Sequence, residues 1–160
     1  MAFYGVPRST RDINLLAEFP SGEDLDRLIA ALDPILEFGG QVEFDTLTWG
    51  KRHVGVSRTP PPINVELFET FDDAFVRSEF SRRLEVFVPL LSRSTWVPTA
   101  EDVIIQKLRW GRAKDLEDAR DVLAVQGVES LDIEYMENWC AEHGTVDLLR
   151  TAITEIPPLD

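Results

Sequence analysis

The chain has 160 residues, of which 44% are hydrophobic and 28% charged, and this length and composition suit one globular domain with a core of its own. Its formal net charge of -13 argues against broad, sequence-independent binding to nucleic acid and against docking on an anionic membrane. The single cysteine, Cys140, excludes an internal disulfide and predicts a cytoplasmic location, and no apolar run approaches the length of a membrane span.

The first predicted element is a strand over residues 12–19, with the sequence DINLLAEF. Because side chains alternate across a strand, Asp12 and Asn14 point to the same face. Oxygen ligands at this spacing can share a Mg²⁺ ion, although the Asn14 amide brings no charge to such a site. The alternative is that Asp12 caps the strand end or pairs with Arg8 or Arg11.

The middle of the chain predicts one helix and several strands. Residues 21–32 have helical periodicity behind Ser21, which suits an N-cap, and the apolar signal within residues 41–58 indicates a hairpin or two neighbouring strands. Residues 63–69 alternate as a strand, so Asn64 and Glu66 share one face. Either Glu66 has a function on this face, or the face is exposed to solvent and Glu66 pairs with a nearby arginine.

Most of the C-terminal half has helical periodicity. Thr99 suits an N-cap with Asp102 three residues later, Gly111 ends this helix, and Gly127 closes the next one. Trp96 is expected to pack in the core or at its rim. The other predicted elements are a helix over residues 71–82, short strands over 84–88 and 94–97, and helices over 131–143 and 146–153.

A cluster of four cations stands out between the two central helices of this acidic chain. A small cationic cluster can hold a phosphate group that the surface as a whole would repel. We therefore expect the turn to present these cations as an anion site. The alternative is an ordinary solvated turn in which Lys114 forms a surface ion pair with Asp118. The four cations are Lys107, Arg109, Arg112 and Lys114.

Two stretches resemble small bacterial proteins of the polymerase-β-type nucleotidyltransferase superfamily, which includes the AbiEii-like abortive-infection toxins. GVPRSTRDINLL, from Gly5 to Leu16, is similar to the family's strand that carries a metal-binding Asp-x-Asp motif. EDVIIQKLRWGRAKDLEDARDVLA is similar to the family's C-terminal signature. The residues that match this signature are Glu101, Asp102, Lys107, Leu108, Arg112, Lys114, Asp115 and Asp118.

The resemblance implies an α/β (α+β) fold, with a nucleotidyltransferase-like mixed β-sheet, flanking helices and a helical C-terminal part. Residues 1–98 would form the sheet region and residues 99–160 the helical part packed on it, within one compact domain. The family's preceding strand and Gly-Ser turn have no counterpart in this sequence. We expect either that the true start lies upstream or that this part has been lost. Such a loss would leave a sheet edge or an apolar patch uncovered, which predicts a homo-oligomer or a protein partner.

The resemblance also assigns roles to residues. Asp12, Asn14 and Glu66 would hold Mg²⁺, with Asp12 and Glu66 as catalytic carboxylates. Lys107 would reach the phosphates of a nucleoside triphosphate (NTP) together with the other three cations of the cluster. Asp115 or Asp118 would position Lys107 or the acceptor.

The implied reaction is the Mg²⁺-dependent transfer of a nucleoside monophosphate from an NTP to an unidentified acceptor. Asn14 in place of a carboxylate predicts that this chain binds Mg²⁺ weakly or not at all. Asn14 and the missing Gly-Ser turn both favour a non-catalytic protein. Whether the protein is an enzyme is therefore left open. The alternative is a non-catalytic binding protein of the same fold, acting as an interaction partner in a toxin-antitoxin or defence system.

Overall fold

The computed structural model describes Tyr4, residues 11–44 and residues 50–156, with Leu90 described by its backbone alone. Two compact units make up the chain, one formed by Ser9–Arg77 and the other by Met1–Arg8 with Ser78–Asp160. The sequence places its boundary at residue 98, whereas the units divide at Ser78. A mixed sheet followed by a largely helical C-terminal part confirms the predicted mixed α/β class. That the fold is nucleotidyltransferase-like stays a prediction.

The described part of the Ser9–Arg77 unit contains β1 (Asp12–Ala17), α1 (Gly22–Leu32), β2 (Leu36–Phe38), β3 (Glu43–Phe44), β4 (Lys51–Ser57) and β5 (Asn64–Glu69). These strands form one sheet in the order β1-β5-β4-β2, with β3 also paired to β4. β1 runs parallel to β5, and the other pairs are antiparallel. Residues 45–49, which fall within the predicted hairpin, lie outside the described residues.

β2 is a strand that the sequence does not predict, because Pro34, Gly39 and Gly40 around it indicate a loop. Leu36 pairs with Ser57 of β4 and is only 7% exposed. Burial of this side chain and the hydrogen bonds of the sheet therefore outweigh the local turn signals.

The second unit begins within α2 (Ala74–Arg82) and continues as a hairpin and four helices. The carboxylate of Asp73 accepts hydrogen bonds from the N–H groups of Phe75 and Val76, which starts α2 three residues later than predicted. The later elements are β6 (Leu84–Val88), β7 (Arg93–Val97), α3 (Ala100–Trp110), α4 (Ala113–Gln126), α5 (Ile133–His143) and α6 (Val146–Thr154).

The core of this unit lies between its helices, where eight apolar side chains larger than that of alanine are fully buried. Each of them except Cys140 contributes about 1.5–3 kcal/mol relative to an exposed side chain. The eight side chains are Ile104, Ile105, Leu108, Val122, Leu123, Met136, Cys140 and Leu149.

The predicted ends of α3 are confirmed, because Thr99 caps this helix and Gly111 ends it in the left-handed conformation with φ 64°.

Trp96 does not lie in the core, so that part of its prediction is wrong. It is 57% exposed on the β6–β7 hairpin, and Phe87, on the same face, is 60% exposed. The guanidinium of Arg83 lies 5.0 Å from the centre of the Trp96 ring. The opposite face of the hairpin is the inward one, since Val97 is only 7% exposed.

Candidate functional site

The first candidate site is the polar face of the β1–β5 pair. The parallel register sets Asn14 beside Glu66 and Asp12 beside Asn64. Neighbouring side chains in this register point to the same side of the sheet, so Asp12, Asn14 and Glu66 share one face. Strand alternation alone predicts this for Asp12 with Asn14. Asn64 Nδ2 donates a hydrogen bond to Asp12 Oδ1 at 3.0 Å. Arg8, one of the two arginines proposed as a partner of Asp12, lies outside the described residues.

Arg52 of β4 brings a cation to this face. It pairs across the sheet with Phe68, two residues beyond Glu66, and therefore points to the same side. Its Nη1 atom lies 3.3 Å from Glu66 Oε1, and its Nη2 atom lies 2.6 Å from Glu43 Oε2. The alternative that Glu66 pairs with a nearby arginine is thus realised in the structure, and Arg52 is that residue.

The donor atoms on the polar face fit a hard cation only in part. Carboxylate and amide oxygens are the ligands that Mg²⁺ prefers, and Asp12, Asn14 and Glu66 supply them. Two of the three carry charge, and Arg52 already compensates the charge of Glu66. Within residues 11–44 and 50–156, no group of three or more His, Cys, Asp and Glu side chains is arranged to hold a metal ion.

The second candidate site is an ion cluster between α3 and α4. Lys107, in the last turn of α3, donates from Nζ to Asp115 Oδ1 at 3.0 Å and to Asp118 Oδ2 at 2.7 Å. The side chains of Asp115 and Asp118 are 1% and 3% exposed, and that of Lys107 is 15% exposed. Lys107 is therefore not presented to solvent by the turn, and it forms an ion pair with Asp118.

Arg112 completes the cluster from the residue before α4. Its guanidinium donates to both carboxylate oxygens of Asp115, and its own side chain is 69% exposed. Burial alone would raise the pKa of Asp115, but the hydrogen bonds from Arg112 and Lys107 and their positive charges outweigh it and hold this pKa below its usual value. Asp115 is thus ionised and fully engaged within the protein.

The structure distributes the predicted site residues over the two units. Asp12, Asn14 and Glu66 belong to the Ser9–Arg77 unit, and the cluster around Lys107 belongs to the other. Lys114 lies exposed in the first turn of α4, and Arg109 is half-buried on α3.

A third polar network, around Asp102, was not predicted as a site. Asp102 is fully buried in the first turn of α3. Its carboxylate accepts hydrogen bonds from Thr99 Oγ1 and from the Tyr135 hydroxyl, each at 2.7 Å. One sequence signal does point to this burial, because Asp102 precedes Ile105 by three residues and therefore lies on the apolar face of the helix.

Arg82 and Tyr135 join this network from α2 and α5. The Arg82 guanidinium lies 3.9 Å from the centre of the Tyr135 ring, and its Nε atom lies 3.7 Å from Asp102 Oδ2. Burial is the main cause that raises the pKa of Tyr135 to about 12, and the neighbouring Asp102 adds to it. The network is therefore a neutral phenol and a cation arranged around a buried carboxylate, and it ties three helices together.

No family model matches the sequence, and no curated protein matches it either. The helices in the described ranges include none with the length and hydrophobicity needed to span a membrane. The geometry of the polar face and of the two charged networks is therefore the basis for the functional proposal.

Proposed function

We propose that the chain is a nucleotidyltransferase-like protein whose NTP and Mg²⁺ bind on the polar face of the Ser9–Arg77 unit. The observation that supports this most is the β1–β5 register, which sets Glu66 directly beside Asn14 and on the same face as Asp12. Asp12, Asn14 and Glu66 would hold the ion, which supplies charge neutralisation of the phosphates. The reaction class is the transfer of a nucleoside monophosphate from an NTP to an acceptor.

In this chain we expect the transfer to be weak or absent. Mg²⁺ gives up its bound water reluctantly and is held mainly by charged oxygens. Asn14 contributes none of that charge, and Arg52 opposes a second cation at Glu66. One oxygen of the Asp12 carboxylate also accepts a hydrogen bond from Asn64. These contacts stabilise the face in the absence of a metal ion and lower its affinity for one.

The cluster around Lys107 is a separate candidate anion site, within the Ser78–Asp160 unit. Asp115 and Asp118 each accept one hydrogen bond from the Lys107 ammonium group, and in this proposal they position Lys107. An ammonium group has three donors, so one is left for an anion bound at the Ser78–Asp160 unit itself. Arg109, Arg112 and Lys114 would add to the attraction of an anion.

A second candidate function is that of a non-catalytic binding protein of the same fold. The Arg52–Glu66 ion pair favours it, because an arginine on the metal face can contact a phosphate without any metal ion. We place either form in the cytoplasm, in agreement with a free, buried Cys140. We propose a homo-oligomer for both candidate functions, because β1 is the last strand at one end of the sheet among the described residues and an end strand can pair with another chain.

Thermal melts with and without Mg²⁺ test the proposal, using the wild type, Asn14→Asp and Arg52→Gln at one protein concentration. Asn14→Asp restores a third carboxylate, so the apo variant should melt slightly below the wild type and regain the loss when Mg²⁺ is added. The matched control is Asn138→Asp, the same substitution at an exposed position on α5. Release of pyrophosphate from MgATP measures transfer in the same samples.

The outcomes separate the two candidate functions. A Mg²⁺-dependent shift in Asn14→Asp and not in Asn138→Asp supports the metal face. Binding of ATP without Mg²⁺ that is lost in Arg52→Gln supports the metal-free binding protein. If Asn14→Asp and Arg52→Gln respond to Mg²⁺ and ATP as Asn138→Asp does, the polar face is not a nucleotide site.

A further inference from the structure

Arg52 of β4 lies between two carboxylates on the polar face, and the register of the sheet places them at different distances from it. Glu43 of β3 is the residue directly opposite Arg52, whereas Glu66 of β5 is diagonal to it. Directly opposite residues in a sheet are closer to each other than diagonal ones. The register therefore makes Glu43 the nearer partner of the Arg52 guanidinium.

The hydrogen bonds agree with this register. Arg52 donates from Nη2 at 2.6 Å and from Nε at 3.1 Å to the same Glu43 oxygen, and from Nη1 alone to Glu66 at 3.3 Å. The contact with Glu66 is the longest of the three and lies just beyond the usual N···O range of about 2.7–3.2 Å. None of the three side chains is fully buried, so the ion pairs can rearrange without a movement of the strands.

We propose that Glu43 is a positioning residue of the polar face, which holds Arg52 on the β3 side and thereby keeps Glu66 available to a divalent cation. This inference rests on the proposed function, in which Glu66 is a ligand of the ion. A cation that binds Glu66 has to displace only one long contact of Arg52, while the two shorter contacts to Glu43 remain. Without the Glu43 carboxylate, the guanidinium would turn to Glu66 and form a bidentate pair that closes this ligand to the ion.

Two other roles for Glu43 lead to different expectations. An ion pair that only fastens the two-residue strand β3 to β4 would leave cation binding unchanged, and exposed ion pairs contribute little even to stability. A carboxylate that acts only through its charge would attract a cation whether or not residue 52 is an arginine. Only the positioning role requires that the effect of Glu43 on cation binding disappears when Arg52 is replaced.

Binding of Mn²⁺ tests the positioning role without a measurement of activity. Mn²⁺ takes the same oxygen ligands as Mg²⁺, and electron paramagnetic resonance measures the free ion. The variants are made in Asn14→Asp, in which the proposed function expects the ion to bind. Glu43→Gln should weaken Mn²⁺ binding by about fivefold, a typical coupling between residues in contact, and Arg52→Gln should strengthen it. The double variant Glu43→Gln/Arg52→Gln should bind Mn²⁺ as Arg52→Gln does.

The matched control is Glu37→Gln. Glu37 pairs with Val56 of β4, four residues from Arg52, so it is a glutamate on the same face of the sheet. Its ion pair is with Arg58, so Glu37→Gln removes the same charge without releasing Arg52. Its effect on Mn²⁺ binding should be equal with and without Arg52→Gln. The effect that Glu43→Gln keeps in the presence of Arg52→Gln should be no larger than this one.

The Nε–H signal of Arg52 in ¹H–¹⁵N NMR spectra gives a second readout, which needs no metal ion. Arg52 Nε donates to Glu43, so Glu43→Gln should shift this signal more than Glu66→Gln does. Arg52→Gln assigns the signal by removing it. Circular dichroism of each variant confirms that the fold is kept.

The results that would overturn the inference are distinguishable from a failure of the proposed function. An Arg52 signal that responds more to Glu66→Gln than to Glu43→Gln would show that Glu43 is not the principal partner. A Glu43→Gln effect on Mn²⁺ binding that is zero, or equal with and without Arg52→Gln, would leave Glu43 no positioning role. These results leave the proposed function intact. Mn²⁺ binding by none of the variants, Arg52→Gln in Asn14→Asp included, would refute the metal face and this inference with it.

Discussion

Replacing Lys107 by alanine should destabilise the Ser78–Asp160 unit. The substitution removes the ammonium group that lies 3.0 Å from Asp115 and 2.7 Å from Asp118, and both carboxylates stay buried. Removing one partner of a buried ion pair costs about 3–5 kcal/mol, because the remaining charge is left without compensation. Lys107 is 15% exposed and Arg112 still contacts Asp115, so we expect the lower end, about 3 kcal/mol.

The effect of Lys107→Ala should depend on pH in a defined direction. Burial would raise the pKa of Asp115, but hydrogen bonds from Arg112 and Lys107 outweigh it and lower this pKa. A lowered folded-state pKa contributes stability above the unfolded-state value, about 3.9 for aspartate, and the contribution is lost as the pH falls through the folded-state value. The difference in the free energy of unfolding between the wild type and Lys107→Ala should therefore be largest near pH 7 and should shrink below about pH 4.

Urea unfolding followed by circular dichroism and tryptophan fluorescence measures this difference. The Trp110 ring lies 5.3 Å from Lys107 Nζ and reports on the cluster. Lys114→Ala is the matched control, because Lys114 is an exposed lysine in the adjacent helix and its loss should change stability by less than about 0.5 kcal/mol. If Lys107→Ala costs no more than Lys114→Ala at neutral pH, or if its cost is the same at acid pH, the assigned role of the cluster is wrong.

Three other substitutions or measurements follow from the helical unit. Tyr135→Phe removes the hydroxyl that donates to buried Asp102 and should cost about 1–2 kcal/mol in urea unfolding. Burial is the main cause that raises the pKa of Tyr135 to about 12. The stability that the protonated phenol contributes should therefore be full below about pH 10 and be lost as the pH rises toward the folded-state pKa. Tyr135→Phe should not show this loss in alkaline unfolding. Gly111→Ala should cost about 1 kcal/mol, since Gly111 has φ 64° and a Cβ atom there meets only ordinary contacts. Burial, as the main cause, raises the pKa of the Cys140 thiol, so alkylation of the native protein should be slow and should become fast in urea.

The parts of the fold that could be predicted from the sequence depend on local signals. Thr99 and Asp102 are three residues apart and cap α3, and Gly111 supplies the left-handed residue that ends it. Strand alternation likewise placed Asp12 and Asn14 on one face without knowledge of any neighbouring strand. Each of these inferences needs only the geometry of one helix or one strand.

The partners of the charged groups could not be predicted, because they come from other elements. Arg52 is 14 residues from Glu66, and Tyr135 is 33 residues from Asp102. The sequence predicts, as one alternative, that Glu66 pairs with a nearby arginine, but it does not indicate which arginine. The sequence predicts that the turn presents Lys107 as part of an anion site. The α3–α4 turn instead sets it against two buried aspartates.

The parallel pairing of β1 with β5 affects the order in which the Ser9–Arg77 unit can form during synthesis. The hydrogen bond from Asn64 to Asp12 joins residues 52 positions apart, and within the described strands β1 pairs with β5 alone. At about 5–20 residues per second, a ribosome needs about 3–10 s to make that intervening segment. β4 and β5 are close in the chain and can pair first, because short loops close at lower entropic cost. Among the described strands of the Ser9–Arg77 unit, β1 is thus the first to be synthesised and the last to be paired, so the nascent chain exposes it longest to chaperones and to neighbouring nascent copies.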